Sequence, residues 1–250
     1  MSEVAVSAES LSKDYVDAHG RVVRACQNLN FEAHAGEVFG ILGTNGAGKT
    51  TCLRMLSTVL RPTGGDATVG GHSVTREPDR VRSVVGFLSA DTGVYGRLSA
   101  REMVEYFGRL HELPEPTIAR RLDEIADLLD MTPFLDRRCD KLSTGQKQRV
   151  NIARTIIHDP KVLIFDEPTS GLDILASSQI VNFVRESRTR GKCVILSTHI
   201  MREAEKLCDR LIIIHVGLVH AEGSPDALRA QYAQNDLEDI FLEAIGCRVS

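Results

Sequence analysis

The 250-residue chain predicts an α/β fold, and three observations carry that expectation. Short continuous apolar runs recur at residues 162–165 (Val-Leu-Ile-Phe) and 193–197 (Cys-Val-Ile-Leu-Ser), as parallel strands buried on both faces require. Segments with apolar residues at helical spacing alternate with these runs. A glycine-rich turn at 43–48 joins the apolar run 37–42 to a helix-like stretch at 51–60.

Each element has its own signal. Residues 4–7, 28–33 and 67–69 read as short strands between turns, in an antiparallel arrangement. From about 99 to 159 the pattern is helical. Ser99 suits an N-cap with Glu102 at the capping-box position, and Met103, Phe107 and Leu110 follow on one face. Pro114-Glu115-Pro116 reads as a local turn. Ile118, Leu122, Ile125 and Leu129 then repeat the helical spacing until Pro133 stops it. Ser143 precedes a helix carrying Val150, Ala153 and Ile157, and Asp173 precedes another over 174–188. Residues 211–216 and 218–221 flank Gly217 as a hairpin. A helical insert in an α/β chain suggests one domain over 1–250 with two lobes. The core lobe covers about 1–90 and 160–230, the helical lobe about 95–159, and a terminal helix about 231–246.

Composition excludes several classes. Lys and Arg number 30 against 34 Asp and Glu, so no basic excess points to nucleic acid. The six cysteines are scattered, with no C-x-x-C pair, and read as free thiols in a reducing compartment. The first residues lack the basic and apolar regions of a signal peptide. The longest apolar runs fall far short of the ~20 residues a membrane helix needs.

Three motifs carry chemistry. Gly43-Thr44-Asn45-Gly46-Ala47-Gly48-Lys49-Thr50 fits G-x-x-x-x-G-K-[ST], and Thr51 continues it into a helix. Such a loop turns its backbone amides on phosphates, with the helix N-terminus adding a favourable dipole. Lys49 is placed to reach the β- and γ-phosphates and Thr50 to ligate Mg2+. The run 162–165 ends in Asp166-Glu167: the Asp can hold Mg2+ through water, and the Glu can polarise an attacking water. Ser143, Gly145 and Gln146 open a second helix N-terminus suited to an anion.

In this order the motifs resemble the nucleotide-binding subunits of ABC transporters. Residues 43–51 match Walker A, and 162–167 match Walker B with its catalytic Glu. Leu142-Ser-Thr-Gly-Gln146 is similar to the signature motif, with Thr144 in place of a Gly. Ser170-Gly-Leu-Asp173 resembles the D-loop, Ser197-Thr-His199 the switch-histidine motif, and Tyr15 the aromatic that stacks on adenine. The resemblance implies a RecA-like P-loop core with antiparallel-β and helical subdomains. It also implies ATP and Mg2+ as cofactors and a head-to-tail homodimer in which Ser143 and Gly145 act in trans. His199 is then expected on the γ-phosphate. The implied partner is a membrane permease on a separate chain, and the implied location is the cytoplasmic face of the membrane, as a peripheral subunit.

One position departs from the family. Where most members carry a Gln that touches Mg2+ and links to the permease, Val85-Gly-Phe-Leu-Ser89-Ala90-Asp91 places Ala90. A methyl group cannot ligate a hard cation, so Ser89, Asp91 or water is left to supply oxygen. Residues 87–102 nonetheless resemble the ATPase subunits of sodium-extruding exporters, and 236–241 a wider group exporting drugs, antibiotics and lipids. The region after Ala90, including residues 95–102, is expected to receive a permease helix. The alternatives are a soluble ABC-type ATPase and, on Ala90 alone, a non-catalytic subunit.

Overall fold

The computed structural model describes residues 3–247. Along the chain run β1 (Val4–Val16), β2 (Val22–His34), β3 (Val38–Leu42), α1 (Lys49–Leu56), β4 (Gly64–Val69), β5 (His72–Ser73), α2 (Pro78–Val84) and β6 (Val85–Leu88). The helical stretch follows as α3 (Ala100–Leu110), α4 (Glu115–Leu128) and α5 (Thr144–Ile156). The chain then returns through β7 (Val162–Asp166), α6 (Ile174–Thr189), β8 (Cys193–Thr198), α7 (Met201–Leu207), β9 (Arg210–His215), β10 (Leu218–Gly223), α8 (Pro225–Tyr232) and α9 (Leu237–Ala244).

A six-stranded sheet in the order β10-β9-β3-β8-β7-β6 forms the centre, parallel except for β10. Every residue of β3, β7 and β8 is buried, which explains their unbroken apolar runs. A second, antiparallel sheet in the order β2-β1-β4-β5 lies over one face. Phe31 of β2 stacks on Phe39 of β3, ring centroids 5.4 Å apart, and α1 shares that core. Helices α3 to α9 pack into a core on the other face.

The antiparallel strands are much longer than 4–7 and 28–33 suggest: β1 and β2 have 13 residues each. Register shifts between Ala8 and Leu11 and between Leu11 and Asp14, with Ser10 and Asn28 at positive φ, break the alternation that would announce a strand. α1 stops at Leu56 rather than at 60 because Thr58 turns left-handed (φ 61°) ahead of Pro62. Pro114-Glu115-Pro116 is not a free turn but the first turn of α4, where proline's missing N–H costs nothing. Leu110 leaves the apolar face of α3 and is exposed, while Met103 is buried. The terminal segment is two helices rather than one, broken where Ala233 turns left-handed. The second docks through Leu237, Ile240 and Phe241. The capping box expected at Ser99/Glu102 forms, and the N-cap at Ser143 is completed by a second box with Gln146. Five of the six cysteines are buried and unpaired, and Cys247 is exposed.

A stacked imidazole pair ties the end of α5 to β6 and to the end of α3. His158, just after α5, approaches the Val85 carbonyl through Nε2 at 3.0 Å and stacks on His111 at 3.7 Å. Burial, with the neighbouring His111 adding to it, pushes the His158 pKa from 6.5 down to about 4. A depressed folded-state pKa means the unfolded chain takes up the proton first, so stability falls as pH drops from 6.5 towards 4. The expected loss assigned to this residue is about 2 kcal/mol between pH 7 and pH 5. Urea unfolding of the wild type and of His158→Gln at the two pH values checks it. Equal pH dependence of the two proteins would remove the assignment.

Candidate active site

The glycine-rich loop leaves the C-terminal end of β3 and opens α1, the position at which open α/β sheets bind ligands. Thr44, Asn45, Gly46, Ala47, Gly48, Lys49, Thr50 and Thr51 line a cavity of about 170 Å3 together with Ala25 and Glu167. Gly48 sits at φ 110°, and a Cβ there would lie 2.3 Å from the Ala25 carbonyl, so the loop can close against β2 only with glycine. The β9–β10 turn braces the loop from below: Gly217 N–H donates to Ala47 O at 2.9 Å, and Gln27 N–H donates to Gly217 O at 2.8 Å. Gly43 begins the loop with its N–H on Thr198 O at 3.4 Å.

Lys49 is buried at the mouth of α1. Its ammonium donates to Gly43 O at 2.9 Å and Thr44 O at 3.2 Å, and it pairs with Glu167 Oε1 at 3.2 Å. His199 Nδ1 lies 3.0 Å from the same carboxylate oxygen. Burial raises the Glu167 pKa, but hydrogen bonds and charge from His199 and Lys49 outweigh it and hold the carboxyl below its ordinary value. The base candidate is therefore ionised at neutral pH, set between the Lys49 side chain and the His199 ring. Glu167 also adopts φ 48°, a conformation that costs a non-glycine residue of order 1 kcal/mol or more. Its N–H donates to both Ser197 O (3.2 Å) and Ser197 Oγ (3.1 Å), which holds the strained backbone in place.

Asp166 is buried at the end of β7, directly abreast of Ser197 in the parallel β7–β8 register. Ser197 Oγ donates to Asp166 Oδ1 at 2.6 Å, while Oδ2 is buried without a protein partner. A sealed carboxylate oxygen lacking a donor is an incomplete shell, of the kind a cation completes. Glu203 of α7 ties the next layer, bonding Thr198 Oγ1 at 2.9 Å and Thr169 Oγ1.

The structure separates the remaining residues from this cavity. Ser143, Gly145 and Gln146 begin α5, where the Gln146 side chain accepts from Ser143 N–H at 3.0 Å. A Cβ on Gly145 would lie 2.8 Å from Ala176 Cβ, so this helix start packs against α6. Asp173 caps α6 by accepting from Ala176 N–H at 2.8 Å. None of these residues lines the loop cavity. Tyr15 faces Val23 across the β1–β2 ladder, two residues along β2 from the lining residue Ala25. It is half-exposed, with Lys13 Nζ 5.5 Å from its ring centroid. Ala90 is exposed, and neither Ser89 nor Asp91 lines the cavity. Asp91 instead pairs with Arg54 of α1 at 3.2 Å.

Sequence reasoning gave no role to Ala25, Ser197 or Glu203. Ala25 enters through a bulge where Lys13 faces Cys26 and Asp14 faces Arg24, and no residue type announces that. Ser197 was visible as the residue two before His199. Its role depends on strand register, which only the folded sheet sets.

A model of the ABC transporter family matches residues 26–170. The chain is 39% identical to the ABC transporter ATP-binding protein NatA of Bacillus subtilis over 226 residues, 90% of this chain and 92% of that one. It is 35% identical to the daunorubicin resistance ATP-binding protein DrrA3 of Streptomyces coeruleorubidus, covering 98% and 76%. It is 36% identical to the Nod factor export ATP-binding protein I of Paraburkholderia xenovorans, covering 96% and 78%. Among solved structures, an ATP-binding subunit of an ABC transporter superposes with TM-score 0.86 at 27% identity, over 96% of this chain and 99% of that one. A dimeric ATP-binding cassette in a post-hydrolysis state, bound to ADP and Pi, superposes with TM-score 0.79 at 25% identity, over 88% and 98%. With a phosphate loop, a carboxylate at its edge and this breadth of kinship, the chain belongs to the ABC transporter family, as one of its ATP-binding, ATP-hydrolysing subunits.

Proposed function

We infer that this subunit hydrolyses ATP between two copies of itself to drive an export permease carried on a separate chain. The observation that carries the catalytic part is Glu167, held at the cavity edge 3.2 Å from Lys49 and 3.0 Å from His199. In this reading the amides of residues 43–51 and Lys49 bind the phosphates, and Tyr15 offers a face to the adenine. Glu167, ionised at neutral pH, takes the proton of the attacking water. His199 contacts the γ-phosphate, its other ring nitrogen oriented by Glu167. Thr50 and the unpartnered Oδ2 of Asp166 suit Mg2+, a hard cation that completes its shell with phosphate and water oxygens and neutralises phosphate charge when bound.

The second wall comes from another copy. Ser143, Gly145 and Gln146 form an exposed or half-exposed helix start away from their own chain's cavity. Pairing head to tail brings each such helix N-terminus onto the γ-phosphate held by the other copy, with Asp173 beside it. The dimeric relative with ADP and Pi supports this arrangement.

Among the described residues no helix is long and apolar enough to cross a membrane. In this reading the subunit acts as a peripheral partner of the permease, on the cytoplasmic face of the membrane. The names of its relatives, a drug-resistance protein and a Nod factor exporter, favour export. The resemblance of residues 87–102 to the ATPase subunits of sodium-extruding exporters adds a sodium-type exporter as the narrower option. Purification of the tagged subunit from membranes in mild detergent, with and without ATP, tests this. A polytopic membrane protein at about one copy per one or two subunits is expected. A subunit that is fully active and always recovered alone would favour the soluble-ATPase reading.

A further inference from the structure

Packing does little to fix His199. Its side chain is 42% exposed, and Ile200, the next residue, is exposed as well. Its ring nevertheless stands 3.0 Å from Glu167 Oε1, although the two residues lie on different loops, after β8 and after β7. An exposed side chain on a loop keeps its rotamer freedom unless its backbone is held, and holding two loops in one register has an entropic cost that other contacts must offset.

The backbone is held one residue earlier. Thr198 is 2% exposed and is tied on three sides. Its carbonyl accepts from Gly43 N–H at 3.4 Å, its Oγ1 accepts from Ile200 N–H at 3.0 Å, and the same hydroxyl donates to Glu203 Oε2 at 2.9 Å. Glu203 stands in the first turn of α7, four residues after His199, with its own N–H on Ile200 O at 3.0 Å. Its other oxygen, Oε1, accepts from Thr169 Oγ1. A carboxylate offers acceptors only, so both threonine hydroxyls must donate inward, which sets their rotamers.

Thr169 is the firm end of this bridge. It is buried, two residues beyond Glu167. The carbonyl before it, Pro168 O, accepts from Gln148 Nε2 of α5 at 2.8 Å, and its own carbonyl accepts from Leu172 N–H at 3.2 Å. Glu203 therefore joins the loop that carries Glu167 to the loop that carries His199. It does so without lining the loop cavity. The direct contact between His199 and Glu167 involves a group that takes up a proton during hydrolysis, whereas the Thr169–Glu203–Thr198 bridge stands outside that chemistry.

We propose that Glu203 is a positioning residue for hydrolysis, which holds His199 in register with Glu167 through Thr198 and Thr169. This rests on the reading above in which Glu167 activates the water and His199 contacts the γ-phosphate. It adds a residue outside the cavity that sets the rate without setting nucleotide affinity.

The test measures steady-state ATPase and ATP binding on the full-length subunit with saturating ATP and Mg2+, for Glu203→Ala, Glu203→Asp, Glu203→Gln, His199→Ala and the double variant Glu203→Ala/His199→Ala. Glu203→Ala should lower kcat about 10–100-fold with the ATP Kd within about twofold of wild type, because a misplacement of about 1 Å is enough to cost 10²-fold. Glu203→Asp is one methylene shorter, cannot span both threonines and should lose at least about tenfold. Glu203→Gln keeps the span, its amide accepting from one hydroxyl and donating to the other, and should stay within about threefold of wild type. His199→Ala should itself be slow, and adding Glu203→Ala to it should cost less than about a further twofold, because the effect passes through a ring already removed. The same loss from Glu203→Ala with and without His199 would mean a role elsewhere in the fold and overturns the proposal, leaving the catalytic reading intact. If Glu203→Ala fails to fold, because two buried hydroxyls have lost their acceptor, the Asp and Gln variants decide, and equal rates from these two overturn the proposal. Wild-type turnover in His199→Ala overturns both the proposal and the role given to His199 above.

Discussion

Glu167→Gln is expected to lower ATP turnover by about 10²–10⁴-fold while ATP binding stays within a few fold of wild type. The amide keeps the size of the carboxylate, so the strained turn at φ 48° and its bonds to Ser197 should persist. What is lost is the ability to accept a proton, in a group that Lys49 and His199 now keep ionised. Binding should survive because the loop amides and Lys49 are untouched, and removing a negative charge beside the phosphates favours the anion. Single-turnover hydrolysis and nucleotide binding on the same preparation separate the two effects. Turnover within a few fold of wild type would mean that another group activates the water.

Two dead subunits should make a working dimer. Lys49→Ala removes the cation proposed to face the phosphates, and Gly145→Asp puts a carboxylate on the helix start proposed to receive phosphate, at a site where a Cβ would lie 2.8 Å from Ala176 Cβ. Each variant alone is expected to lose at least about 10²-fold in turnover, since every site in its homodimer carries one broken wall. Mixed in equal amounts, half of the dimers combine the two variants, and one of their two sites is intact. Recovery of about a quarter of wild-type ATPase follows if the sites act independently. Within one chain Ser143, Gly145 and Gln146 do not line the cavity of residues 44–51, so the second wall must come from another copy in this reading. No recovery, with both variants folded and able to pair, would place both walls in one chain or make the sites strictly interdependent.

How much of the molecule could be read in advance depended on whether the cue was local. The strands that line the site, β3, β7 and β8, are buried on both faces, so their apolar runs are continuous and conspicuous. The capping box at Ser99 spans four residues and was legible for the same reason. β1 and β2 were not, because bulges and a solvated face erase their alternation. The pocket wall at Ala25, which one of those bulges supplies, went unseen with them. The oxygen sources offered for the missing Gln also depended on geometry. Asp91 is adjacent to Ala90 in sequence, yet its side chain is drawn to Arg54.

The sequence alone determined the chemistry available: a phosphate loop, two carboxylates ending a buried strand, a second anion-facing helix start, and a histidine two residues after Ser197. These are local patterns, in which residue type and spacing within a few positions state the requirement. Tertiary structure decided which groups act on which. It set Asp166 abreast of Ser197, left one oxygen of Asp166 without a partner, and clamped Glu167 between Lys49 and His199. It also held the helix start at Ser143 away from the loop cavity. Those outcomes depend on strand register and helix packing between segments tens to more than a hundred residues apart, where no local pattern carries the information.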